Sequence, residues 1–320
     1  MLAFVARRLA QAVPLLVAVA VLTFLLIELA PGDPIVALAG EDGDAAYHAM
    51  MRERFGLDRP LGERFAVYLG RVLRGDLGFS YRLQQPAVSA VLGRLPATLL
   101  LIGPALLLST AIGLALGVLA ARRPHSLGDT VVSAVSLLGH AVPVFWLAQM
   151  LLLVFAYRLE AFPVQGMRDV RLDPQGLAGV LDVARHMVLP VAALTVQFLA
   201  PIARVARASL IDVLGQDYVR TAVAKGLQGR AVVGKHALRN ALLPVVTVIG
   251  AQVGFMFSGA VLTETVFAWP GLGRLLLSAM LARDLAIVSS MFLLLTVAVV
   301  VSTLLVDLLY AALDPRIRYG

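Results

Sequence analysis

The sequence predicts an all-α, polytopic membrane protein with six transmembrane helices, and three observations point there. Hydrophobic residues make up 60% of the chain and charged residues only 15%, whereas soluble domains sit near ~45–50% apolar and ~25% charged. Six apolar stretches, approximately 9–30, 97–121, 130–158, 186–206, 241–265 and 287–312, approach or exceed the ~20 residues a helix needs to cross a bilayer. Their length and lack of alternation exclude barrel strands. In lipid, only helices satisfy their own backbone at such lengths.

The first stretch follows Arg7 and Arg8. It is too long for the apolar core of a signal peptide, and Glu28-Leu29-Ala30-Pro31 places a large acid and a proline where cleavage requires small residues. It reads as an uncleaved signal anchor. The loop over about 31–95 is too long for a simple connection. Within it Phe65, Tyr68, Leu69 and Val72 share one helical face, with Glu63, Arg64 and Arg71 elsewhere, which predicts an amphipathic helix at the membrane surface or packed on the bundle. In the second stretch Gly113 and Gly117 form a small-xxx-small pair; in the fifth, Thr247, Gly250, Gly254 and Ser258 form a stripe. Both mark close helix packing.

Polar residues inside the spans are costly and therefore informative. Ser133, Ser136 and His140 share a face of the third stretch, followed by Pro143 and Gln149; Gln197 lies on the fourth and Gln252 on the fifth. They fit either a water-accessible translocation path between two subunits or interhelical hydrogen bonding. Glu28, Glu264 and Asp307 fall towards helix ends, where headgroups are within reach, and they do not suggest a proton relay.

The net charge of +7 is better explained by cytoplasmic loops than by nucleic acid, which is not expected as a partner. With the N-terminus inside, that side collects Arg7, Arg8, Arg122, Arg123, Arg316, Arg318 and a basic loop over 204–240 that holds both lysines of the chain, Lys225 and Lys235. An even number of spans then places both termini in the cytoplasm. The chain has no cysteine, so disulfides and thiolate chemistry are excluded. His48, His125, His140, His186 and His236 are scattered without metal-ligand spacing. No nucleophile-elbow motif surrounds a serine. Neither a metal site nor an enzyme is expected.

The inner loop, about 207–240, carries the most informative segment. Asp217-Tyr218-Val219-Arg220-Thr221-Ala222-Val223-Ala224-Lys225 reads as a short helix stopped by Gly226 and followed by Leu227. A second basic helix, with His236, Arg239 and Asn240, runs into the fifth span. Such an element can dock as a knob into a partner's groove, although composition alone equally describes an ordinary basic cytoplasmic loop. Within it Gly229–His236 nearly spells a phosphate-binding P-loop, but His236 replaces the magnesium-binding hydroxyl and no strand precedes it.

This segment resembles the cytoplasmic loop of the integral membrane subunits of bacterial ABC importers, and in detail the dipeptide/oligopeptide (peptide/nickel) permease family. Arg220, Thr221, Ala222, Lys225, Gly226 and the run His236–Pro244 carry the resemblance. Arg220 stands where importers generally have glutamate, and Gly226 lies further from Pro244 than in sugar permeases; both departures are typical of the peptide subfamily. Leu29–Pro34, Gly75–Ser80, Phe162–Gly166 and Leu313–Arg316 are similar to the same family, in order along the whole chain.

The resemblance implies a signal-anchor helix plus long periplasmic loop over 1–95, a five-helix type I importer core over 96–312, and a cytoplasmic tail over 313–320. It further implies a bacterial inner-membrane permease subunit. Its partners would be a second homologous permease subunit, two ABC ATPase subunits that bind ATP and Mg, an extracytoplasmic solute-binding protein and membrane lipid. No cofactor is expected in this chain itself. Arg220, Thr221, Ala222, Lys225, Gly226, Leu227, His236, Arg239 and Asn240 would form the ATPase-coupling loop. The rival reading is a secondary transporter driven by an ion gradient, which calls for mid-membrane carboxylates or an inverted repeat of broken helices, and neither is visible.

Overall fold

The structure is a computed structural model that describes residues 2–29, 50 and 58–313. Helix α1 spans Leu2–Glu28 and α2 spans Leu61–Leu73; a short hairpin pairs β1, Phe79–Ser80, with β2, Gln85–Pro86. Then follow α3 (Ala87–Arg122), α4 (Leu127–Ala141), α5 (Val144–Leu151, continued by a π-helical stretch Leu152–Arg158) and α6 (Gly176–Leu214). Helices α7 (Asp217–Ala224) and α8 (Gly229–Ala231) lead through a second π-helical stretch, Val232–Ala237, into α9 (Leu238–Val266). Helices α10 (Leu272–Leu281) and α11 (Leu285–Leu313) complete the described chain. Among the described residues five helices are long and apolar enough to span a membrane, and there are six such spans if the bent pair α4 and α5 is counted as one.

That break is where the structure departs from a simple reading of the third stretch. Helices α4 and α5 meet at 97°. The cause is Pro143: a proline forces the residue before it out of helical geometry, and Val142 is extended at φ −73°, ψ 127°. Proline then opens α5, where its missing N–H costs nothing.

The chain divides into two compact units. One comprises Leu95–Arg274 and the chain from Ala298; the other comprises Leu2–Arg94 and Leu275–Val297. The first is built around α6, more than half buried at 56% while the other long spans are 17–33% buried. Its 39 residues make a rod about 58 Å long at ~1.5 Å per residue, against a hydrocarbon layer of ~30 Å. Helix α3 lies directly on it: a Cβ on Gly113 would stand 2.8 Å from the Leu199 carbonyl oxygen, and one on Gly117 would stand 2.7 Å from both the Ala203 oxygen and the Ala206 Cβ. Gly250 and Gly254 of α9 similarly receive Val306 and Val299 of α11, and Ser302 donates to the Gly250 carbonyl at 3.3 Å. The small-residue stripes thus serve helix packing within the chain.

In the second unit α2 folds onto the end of α1. Phe24 meets Phe65 edge to face at 5.3 Å, Tyr68 and Thr23 share a hydrogen bond of 2.8 Å, and Arg64 pairs with Glu28 at 2.7 Å. Glu28 is therefore tied to a protein partner, not to headgroups. In the turn before the hairpin, Asp76 accepts from the Arg71 guanidinium and the Gly78 N–H, and these donors hold its carboxyl below the usual carboxylate range.

Candidate coupling site

The inner-loop element is a helix, a left-handed stop and a second helix. Gln216 is extended and leads into α7, whose first-turn Asp217 sits favourably at the positive end of the helix. At the other end the Gly226 N–H bonds the Val223 carbonyl at 2.9 Å and the Leu227 N–H bonds the Ala222 carbonyl at 3.4 Å. This is a Schellman stop, which needs a left-handed residue after the cap. Gly226 supplies it at φ +78°, with nothing within 4 Å of where a Cβ would lie. Backbone conformation, not space, requires glycine there.

One face of α7 is buried and the other is open. Val219 and Ala222 form a cluster with Val232, flanked by Val213 and Leu214 at the end of α6. Arg220, Thr221, Val223, Ala224, Lys225, Gly226 and Leu227 are exposed, with Val223 57% and Leu227 40% accessible. Ala222 accordingly packs inside the element, and its small side chain serves that packing and not a partner's groove. Arg220 comes no nearer than 3.8 Å to Asp217, both highly exposed, and such a pair contributes little.

Helix α7 is tied to the fifth span by a side-chain hydrogen bond. Asn240, at the start of α9, donates from Nδ2 to the Tyr218 hydroxyl at 2.8 Å. Below it Ala237 and Ala241 pack with Ala121 of α3 and Leu210 of α6. Arg239 is exposed beside Asn240, and His236 lies in the π-helical stretch, where the Leu238 N–H bonds the Val233 carbonyl five residues back. Gly229–His236, the P-loop look-alike, is helical, and the only strands among the described residues are those of the hairpin. No phosphate cradle is formed there.

The intramembrane polar residues divide by environment. Gln149 is exposed, and Ser133, His140 and Gln197 are half-buried. The His140 Nδ1 lies 2.8 Å from the Gln197 carbonyl oxygen, an interhelical contact between α4 and α6. Ser136 and Gln252 are 2% and 5% exposed, buried in the chain's own packing. They do not face outward to a second subunit in this conformation.

Three features escaped the sequence reading. Tyr218 was visible only as part of a motif. Asp129 is 4% exposed and accepts two hydrogen bonds from the Arg207 guanidinium, the Nη2 contact at 2.6 Å, joining the near ends of α4 and α6. The Ser126–Asp129 spacing at a helix start was its only local signal. Glu264, expected at the headgroups, is wholly buried; a turn returning over the helix end covers it, which helical periodicity cannot show.

Comparison with known proteins places this architecture. Residues 113–319 match the family model described as binding-protein-dependent transport system inner membrane component, and residues 1–102 match the model for the N-terminal part of such membrane components. The chain is 40% identical over 337 residues to the dipeptide transport system permease protein DppB of Escherichia coli K12, with 100% of this chain and 99% of that protein covered. It is 42% identical over 334 residues to the di/tripeptide transport system permease protein DppB of Pseudomonas aeruginosa, with the same coverage. Against the oligopeptide transport system permease protein AppB of Bacillus subtilis it is 36% identical over 320 residues, covering all of both. Among solved structures, a chain of the MetNI methionine ABC transporter in an inward-facing conformation superposes with a TM-score of 0.55 at 18% identity, over 68% of this chain and 93% of that one; this likeness concerns the fold alone.

The chain belongs to the binding-protein-dependent transport system inner membrane component family. It is a multi-pass permease subunit of an ABC importer, with the all-α importer fold.

Proposed function

We propose that this subunit carries di- or oligopeptides, or related small solutes such as nickel complexes, across a bacterial inner membrane. It does so together with a second homologous permease subunit. Of two ATPase subunits, which hold ATP and Mg, one docks on the exposed face of this chain's α7 and the following turn and the other on the second permease subunit, and an extracytoplasmic binding protein delivers the solute. Both termini lie in the cytoplasm with that element. The observation that carries the coupling role is the two-sidedness of α7: Val219 and Ala222 anchor it inward, while Arg220, Thr221, Val223, Lys225 and Leu227 are presented outward. Mixed basic and apolar exposure on a rigid helix suits a protein groove.

ATPase closure would move α7, and the Tyr218–Asn240 bond would pass that movement to the fifth span. The work is a population shift between inward-open and outward-open states, with no covalent chemistry in this chain. Ser133, His140, Gln149 and Gln197 are the candidates for the path in the described conformation; Ser136 and Gln252 would join it only after the helices rearrange. The test is reconstitution of the four-component membrane complex in proteoliposomes. Peptide-loaded binding protein should stimulate ATP hydrolysis and drive uptake of labelled peptide. Uptake that follows an imposed ion gradient without ATP would instead establish the secondary-transporter reading.

A further inference from the structure

The fifth span ends, away from the coupling element, in a cage around one carboxylate. The Thr98 hydroxyl of α3 donates to Glu264 Oε1 at 2.6 Å, and the Arg274 N–H donates to Oε2 at 3.0 Å. The Thr98 hydroxyl oxygen also accepts the Leu272 N–H at 2.7 Å. The Trp269 N–H bonds the Glu264 carbonyl at 2.8 Å, and its indole N–H bonds the Ala97 carbonyl of α3 at 2.8 Å. Glu264 and Trp269 are both fully buried. Gly271 presses on the carboxylate and Gly273 on the Val261 backbone, so closely that neither could carry a Cβ without a shift of the chain. The turn Phe267–Gly273 is thus wrapped on a carboxylate that the second span also grips.

Separating α3 from this turn would remove the Thr98 donor from a buried carboxylate and the Ala97 acceptor from a buried indole at the same time. A low-dielectric interior tolerates neither loss well. We propose that Glu264 is a positioning residue that fuses the far ends of the second and fifth spans into one block, and that this block stays closed throughout the transport cycle. The proposal rests on the reading of the chain as an ATP-driven importer. Movement between states is then confined to other joints.

The experiment uses the assembled complex, with spin labels at Leu99→Cys and Thr265→Cys. Both positions are exposed, neither contributes a side chain to the cage, and this chain has no native cysteine. Partner chains are stripped of accessible cysteines. The interspin distance measured by pulsed EPR should change by less than about 2 Å between the nucleotide-free and vanadate-trapped states, no more than a small helix shift. A change above about 5 Å, a full helical turn, in a complex that hydrolyses ATP would overturn the proposal. A complex that forms but shows no ATP hydrolysis would instead count against the importer reading. Thr98→Val, which keeps shape and removes the hydroxyl, should broaden the distance distribution in the isolated chain and lower transport about tenfold, a factor within the cost of leaving one buried acceptor unsatisfied. Thr98→Ser should restore both. A Thr98→Val chain with an unchanged distribution and wild-type transport would show that the carboxylate does not hold the block.

Discussion

Gly117→Ala tests the packing of the second span on the central helix with a single methyl group. An ideal Cβ there stands 2.7 Å from the Ala203 oxygen, 2.7 Å from the Ala206 Cβ and 3.1 Å from the Arg207 nitrogen. All three are backbone or Cβ atoms, so no side chain can swing aside. Restoring ordinary contact at ~3.5–4.0 Å parts α3 and α6 locally by about 1 Å, a gap that forfeits roughly a quarter to a half of each dispersion contact along the seam. Overpacking of this kind costs ~1–3 kcal/mol, while replacing a helical glycine by alanine returns up to ~1 kcal/mol. A net loss of about 1–2 kcal/mol is expected. Gly103 of the same helix is the control, because nothing lies within 4 Å of its would-be Cβ. Gly103→Ala should be neutral or stabilising by up to ~1 kcal/mol. Reversible unfolding of the purified chain in mixed micelles, followed by far-ultraviolet circular dichroism, separates the two. Equal stability for both variants would refute the reasoning.

Gly226→Ala places a side chain in open space but in a left-handed backbone, so a cost of ~1–2 kcal/mol is expected from conformation alone, with Gly226→Asn milder; the readout is binding-protein-stimulated ATP hydrolysis, which should fall for alanine more than for asparagine. Arg207→Leu leaves Asp129 buried without its guanidinium. The loss should lower the unfolding midpoint of the chain in mixed micelles, an effect moderated by solvent because the Arg207 side chain is 28% exposed. A double-mutant cycle with Asp129→Asn should recover part of that loss, and additive effects would show that the two residues do not interact. Topology is checked with single cysteines at Ala231 and at Leu172, which is 79% exposed. An impermeant maleimide should label only position 172 in intact spheroplasts, and labelling of position 231 would reverse the orientation.

The spans were legible in the sequence because burial in lipid is a property of composition, and apolar runs announce it one residue at a time. Gly226 was legible for a related reason: a helix stop is set by neighbouring backbone groups. The break at Pro143 was visible as a proline, but prolines also lie inside α3, α6 and α9 without dividing them, so the residue alone does not separate a kink from a 97° turn. Ala222 was placed on the element but not on its inner face, since its contacts with Val232 depend on a chain reversal. Glu264 was misplaced because Thr98 lies 166 positions away in the chain. Side-chain pairings over that distance leave no local pattern to read.

The central position of α6 has a consequence for biogenesis. The helix that packs against α3, α4 and α9 is made fourth among the spans. At ~5–20 residues per second, its last turn emerges on the order of 5–20 s after that of α3. During that interval the Gly113–Gly117 groove has no helix to receive, and the membrane must accommodate Ser136 and His140 before Gln197 and the rest of α6 arrive. A nascent chain stalled in this interval exposes a notched, polar-faced helix pair to lipid, which makes it a natural client for insertases and a sensitive point for quality control.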